Sequence, residues 1–200
     1  MKHKLLFFVF ITFLLVFTTF CKKVDSNKEH IKEEEPAISV EDSSETEKTV
    51  TEFNSISFEG YELDTDNVVG KEQFLSKEIN FITIWQPGCG PCKIELEAFE
   101  VSYKKHPEVN FIGLSIAESN EEVKDKINEL GLSFNNFRAT EKFLESVKDT
   151  IKSTPTLLIV DKNGLDIIPM TVGINSNLGT KDDFVHYIDS TIEGISNEKE

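Results

Sequence analysis

Two hundred residues make one domain, or one domain with appendages. Twenty-one Lys+Arg against 36 Asp+Glu leave a net charge of −15, which excludes the basic face that nucleic-acid binding needs; Arg138 is the one arginine, so a guanidinium cluster for phosphate is excluded too. Three cysteines are too few for a disulfide scaffold or an all-thiolate zinc site.

The chain opens with Lys2, His3 and Lys4. Leu5 to Phe20 is then apolar, broken only by Thr12, Thr18 and Thr19. Sixteen residues are short for a spanning helix, which needs about 20. A basic start followed by a short apolar run has the form of a secretory signal. The run stops at Cys21, before Lys22 and Lys23. A cysteine there resembles the bacterial lipoprotein signal, which implies lipidation at Cys21. Phe20 stands where that family has a small residue, so an uncleaved anchor over 1–21 stays open. Both readings place the chain outside the cytoplasm and attach it to a membrane through its N-terminus. Lys22 to Thr51 has nine acidic residues, five lysines and no aromatic. Such a stretch cannot bury enough apolar surface to fold. We expect an acidic disordered tether over 22–52, spanning roughly 30 Å as a flexible coil.

From about Phe53 the pattern changes. Ser55 to Phe58 alternates, Glu59-Gly60 reads as a turn, and Tyr61 to Leu63 alternates again, which predicts a small hairpin. Lys71 to Lys77 holds one helical turn or two. Phe81 to Trp85 is a short run of β-formers, hence a buried strand. A helix opens near Pro91. Val109 to Ile116 is a second buried strand, and Glu121 to Leu130 an amphipathic helix ended by Gly131. Phe134 to Phe137 is a short strand and Glu141 to Thr150 a helix. Thr156 to Val160 is a third strong strand, joined through the Asp161-Lys162-Asn163-Gly164 turn to an antiparallel return over Leu165 to Met170. Thr180 to Glu193 closes as a helix. The domain is expected over 53–194, with a disordered tail over 195–200. Strands alternating with helices predict an α/β domain, its sheet covered on both faces.

Cys89-Gly90-Pro91-Cys92 carries the chemistry. The pair follows a strand and opens a helix, whose N-terminus presents unsatisfied N–H groups and partial positive charge. Both favour thiolate over thiol and lower a cysteine pKa from about 8.5 to about 3.5–7.5. Cys89, ahead of the helix, is the expected nucleophile, and Cys92, one turn in, the shielded resolving thiol. Pro91 suits the first helical position, and Gly90 leaves room for a substrate backbone. No metal is expected: two thiols are two ligands, and His3, His30, His106 and His186 lack ligand spacing. A purely structural disulfide would stabilise weakly, because so short a loop removes little chain entropy.

The segment from Trp85 through Cys89 and Cys92 to Lys93 resembles the thioredoxin active site, and Ser153-Thr154-Pro155-Thr156 resembles the family's cis-proline loop, which faces the cysteines. The resemblance covers roughly Phe53 to Ile192. It implies the thioredoxin fold, a central mixed sheet flanked by helices, here with an extra N-terminal β-hairpin. Within the superfamily the chain is similar to the membrane-anchored, extracytoplasmic TlpA/ResA-like proteins. Their glutamate three residues after the second cysteine is matched by Glu95, which implies that Glu95 tunes the buried thiol and moves its proton. Cytoplasmic thioredoxins carry an aspartate where Thr83 stands, and Thr83 cannot shuttle protons. Gly88 replaces a tryptophan beside the first cysteine, which predicts an open groove. Thr154, Pro155 and Gly90 form the expected substrate side, together with Trp85 packed under the loop.

The implied activity is thiol–disulfide exchange that reduces protein substrates bearing disulfides, such as apocytochrome c. The implied electron source is a thiol-shuttling membrane donor. No bound cofactor is expected, since the redox group is the Cys89–Cys92 pair. A thiol peroxidase and a non-enzymatic binding module on the same fold are the alternatives. The first normally has a threonine where Gln86 stands, and the second needs metal ligands that the sequence does not supply in order.

Overall fold

The long runs of Phe, Ile, Leu and Val form the centre of a seven-stranded sheet. The computed structural model describes residues 56–173 and 177–198, all inside one unit, Thr49–Glu200. The expected signal or anchor, Cys21 and the tether lie outside the described residues. In chain order the elements are β1 (Gly60–Tyr61), β2 (Val68–Val69), α1 (Lys71–Phe74), β3 (Asn80–Trp85), α2 (Gly90–Lys105), β4 (Asn110–Ser115), α3 (Asn120–Leu130), β5 (Asn135–Ala139), α4 (Glu141–Val147), β6 (Thr156–Val160), β7 (Asp166–Val172) and α5 (Lys181–Asn197). The strands lie in the order β2-β1-β5-β4-β3-β6-β7. β3, β4 and β5 run parallel, while β6 is antiparallel to β3. This is the mixed sheet of the thioredoxin fold, extended at one edge by the β1–β2 hairpin.

Burial on both faces explains why β3, β4 and β6 read as unbroken apolar runs. Phe81, Trp85, Phe111, Leu157 and Ile159 pack on one side with side chains of α2, α3 and α5. Ile82, Ile84, Ile112, Leu114 and Leu158 pack on the other with α1 and α4. Aromatic contacts fasten α2 to the sheet: Phe99 meets Phe111 edge-on at 5.4 Å and Phe134 at 5.8 Å. At the far end of α2, His106 contacts Asp189 of α5 at 2.8 Å. The helix that starts at the cysteine pair is thus held along its length. Among the described residues no helix is long and apolar enough to cross a membrane.

Three local expectations are corrected. Glu59-Gly60 is not the hairpin turn: Gly60 pairs with both Val69 and Ala139 inside the sheet. A Cβ there would sit 2.7 Å from Phe137 Cβ, so the glycine serves close strand approach. The turn is Glu62 to Asn67, closed by Glu62 N–H donating to Asn67 O at 2.8 Å. The closing helix passes its expected end and reaches Asn197, because Ile195 extends the buried stripe of Phe184, Ile188 and Ile192. Pro91 is the second residue of α2, not the first. It still lies in the first turn, where a missing N–H breaks no helical bond.

Gly113 of β4 lies between two buried polar atoms without hydrogen-bond partners, Trp85 Nε1 and Asn136 Oδ1. An added Cβ would stand 1.9 Å from Asn136 Oδ1 and 3.0 Å from Trp85 Nε1. Gly113→Ala is therefore expected to destabilise the domain by about 1–3 kcal/mol in urea unfolding. Adding Asn136→Ala should recover much of that loss by vacating the space.

Candidate active site

The chain leaves β3 at Trp85, turns through Gln86-Pro87-Gly88, and enters α2. Cys89 is the N-cap of α2, in extended conformation, and its Sγ accepts the Cys92 backbone N–H at 3.1 Å. A sulfur therefore occupies the position where an oxygen usually satisfies a helix's first free amides. Cys89 and Cys92 are joined as a disulfide. Cys89 is half-buried and Cys92 is 1% exposed. The more accessible sulfur is the one expected to attack. Gly88 and Gly90 are exposed, with open space where a Cβ would stand, so the surface beside Cys89 is unobstructed.

The loop before β6 comes from 65 residues further along the chain to face this sulfur: Thr154 O lies 3.6 Å from Cys89 Sγ. The Thr154–Pro155 peptide is cis. Pro155 is buried, and its carbonyl accepts the Gly173 N–H at 2.8 Å, which ties the loop to the end of β7. Cys89, Cys92, Gly90, Thr154 and Pro155 are thus brought together. Trp85 is corrected as a substrate-side residue. It has no exposed surface and packs in the core beneath the loop, where it can support the turn but not touch a bound chain.

Glu95 stands one turn after Cys92 on α2. It is 2% exposed and its Oε1 has no hydrogen-bond partner. Burial pushes its carboxyl from the ordinary 4.5 up to about 7, and the neighbouring Thr83 hydroxyl opposes the rise only in part. Thr83 Oγ1 itself completes no well-formed hydrogen bond, so its hold on the carboxyl is weak. A buried acid poised near neutrality beside a buried sulfur can take up or release a proton. Glu95 lies beyond the first turn of α2, which holds no acid, and the sequence alone does not mark it as buried. Lys93, by contrast, is exposed and faces Glu97 at 3.9 Å. Among the described residues no group of three His, Cys, Asp or Glu side chains could hold a metal ion.

Residues 77–165 match the Thioredoxin-like family, a stretch that carries both the cysteine pair and the cis-proline loop. No protein of curated function matches the chain. Among solved structures, the chain is similar to a secreted disulfide oxidoreductase of Mycobacterium tuberculosis homologous to E. coli DsbE. Identity is 13%, TM-score 0.55, and the alignment covers 69% of this chain and 98% of that one. It is also similar to a thioredoxin-family thiol:disulfide interchange protein of Chlorobium tepidum, at 20% identity and TM-score 0.54, over 68% and 92% of the two chains. A third is the thioredoxin domain of a thiol-disulfide oxidoreductase of Bacteroides vulgatus, at 22% identity and TM-score 0.53, over 68% and 94%. At these identities the likeness establishes the thioredoxin fold.

The raised Glu95 carboxyl has a consequence for stability. Its folded value lies above its unfolded value, so the folded state binds more protons between pH 4.5 and about 7. Its contribution is therefore most favourable below pH 4.5 and declines as pH rises to about 7. The loss is at most about 3 kcal/mol. In denaturant unfolding, Glu95→Gln is expected to be more stable than the parent at pH 8, with the gap closing toward pH 4.5. A pH-independent gap would contradict the raised value.

Proposed function

We propose that this protein is a thiol–disulfide oxidoreductase, anchored outside the cytoplasm, that reduces disulfides in other proteins. One observation carries the reading: a cysteine pair spans the first turn of α2, with Cys89 Sγ accepting an α2 amide and facing the carbonyl before cis-Pro155. The Thioredoxin-like match over the same residues supports it, as does the fold shared with proteins described as disulfide oxidoreductases.

The reaction begins from the reduced pair. Cys89 thiolate attacks one sulfur of a target disulfide; the target S–S bond breaks and its other sulfur leaves as a thiolate, which takes a proton from solvent. Cys92 is then the attacking group, but as a buried thiol it must first lose its proton. Glu95, partly ionised near neutrality, accepts it. Cys92 thiolate attacks Cys89 Sγ, the mixed disulfide breaks, and the target leaves fully reduced. Two electrons have passed to the target, and the pair ends as the observed disulfide. The target backbone pairs with the Thr154 main chain by strand-type hydrogen bonds, which brings its sulfur to Cys89.

The Gly90-Pro91 pair between the cysteines favours the reducing direction, by its resemblance to reducing thioredoxins. The basic and apolar leader ending at Cys21 supports attachment to a membrane. An anchored reductase outside the cytoplasm needs a thiol-shuttling donor in the same membrane, and apocytochrome c is a substrate of suitable chemistry. A Cys92→Ser variant should accumulate mixed disulfides with its substrates through Cys89, visible as reductant-sensitive adducts on membranes. Cys89→Ser should give none. Absence of adducts from the Cys92→Ser protein would contradict the exchange reaction.

A further inference from the structure

Several glycines of the chain are explained by the fold itself. Gly131, Gly164 and Gly173 take positive φ. At Gly60 and Gly113 an added Cβ would collide with Phe137 and Asn136. Gly88 has neither reason. Its φ is not left-handed, and a Cβ there would meet nothing within 4 Å. Glycine loses more chain freedom on folding than any other residue, so a glycine that the fold does not need carries a cost without an internal return. Gly88 is exposed and directly precedes Cys89. What its missing side chain makes room for is therefore whatever approaches that sulfur.

The ground around Gly88 is uncharged. Cys89 N–H donates to Gln86 O at 3.1 Å, which closes the turn Gln86-Pro87-Gly88. Ile116 N–H donates to Trp85 O at 2.9 Å, so the loop between β4 and α3 runs alongside the start of that turn. It carries Ala117, half-buried like Pro87 and packed on the same core as Cys89. On a target strand paired with the Thr154 main chain, side chains two residues from the cysteine point to the same face as the cysteine. They lie about 7 Å from it along the strand. Gly88 is one residue from Cys89, about 3.8 Å between Cα atoms, so only a large side chain reaches back over it.

We propose that Gly88 is a specificity-determining residue of the exchange reaction: its bare surface receives a large aromatic side chain that the target carries two residues from the cysteine under attack. The inference rests on the oxidoreductase reading above and narrows its substrate class.

The test uses the reduced full chain and two seven-residue peptides, each with one central cysteine and dimerised through it. One has tryptophan two residues to either side of the cysteine, and the other has glycine there. Each reaction passes two electrons from the cysteine pair to the peptide disulfide and frees two peptide thiols. Rates are divided by those of dithiothreitol with the same peptide, which removes the peptide's own reactivity. The parent should prefer the tryptophan peptide by at least about threefold, and Gly88→Trp should lower that preference by about tenfold. The loss should fall on the half-saturating peptide concentration rather than the limiting rate. The ratio between peptides cancels any change in Cys89 itself, because both meet the same sulfur. A preference that Gly88→Trp leaves unchanged overturns the subsite, as does a parent that favours neither peptide; both leave the oxidoreductase reading intact. Should Gly88→Trp not fold, Gly88→Val is read in the same way, with the same two outcomes. A parent that reduces neither peptide overturns both the subsite and the reading it rests on.

Discussion

The site depends on one hydrogen bond of unusual composition, from the Cys92 amide to Cys89 Sγ at the start of α2. A helix begins with amides that have no partner inside it. In α3 and α5 side-chain oxygens meet that demand, Ser119 and Thr180, each in a reciprocal capping box. In α2 a sulfur meets it instead. The same electrostatics that stabilise any helix N-terminus therefore bear on the reacting atom. The rest of the architecture keeps this contact in place. Phe99 fastens α2 to the sheet, His106 and Asp189 couple its far end to α5, and the cis-proline loop closes over the sulfur from the next strand.

Burial divides labour between the two cysteines. Cys89 is accessible and solvated by helix amides, so it suits attack on another protein. Cys92 is enclosed, which protects the resolving step but raises the cost of ionising its thiol. In the proposed exchange, Glu95 is the group that would offset that cost by accepting the proton. The same apolar enclosure that shields Cys92 leaves the carboxyl near pH 7, where it can exchange a proton in either direction. Thr83 beneath it is too weakly bonded to pull the acid far back toward ordinary values. Burial is thus the cause of both the difficulty and its solution.

The central strands and most helices were legible because their signals are local. Runs such as Phe81 to Trp85 have no polar alternation, which only a sheet buried on both faces explains. Gly131 and Gly164 take positive φ, 62° and 85°, at the helix end and hairpin turn where they were expected. The cysteine pair and Pro155 were legible because their residue types and order suffice. Gly60 was misread, since its need for a missing side chain arises from Phe137, 77 positions away, and no local pattern reports that. The burial of Glu95 was hidden for a similar reason: an acid among the charged residues of a helix is ordinary until the sheet beneath it is known. Trp85 was expected beneath the active-site loop, and its complete burial removes it from the substrate side.

Ultraviolet titration of the thiolate in the reduced protein, with Cys92→Ser to isolate Cys89, tests the central contact most directly. Sulfur at the α2 N-cap is predicted to ionise below about pH 7.5. A Cys89 that ionises at or above about 8.5, like a free cysteine, contradicts it.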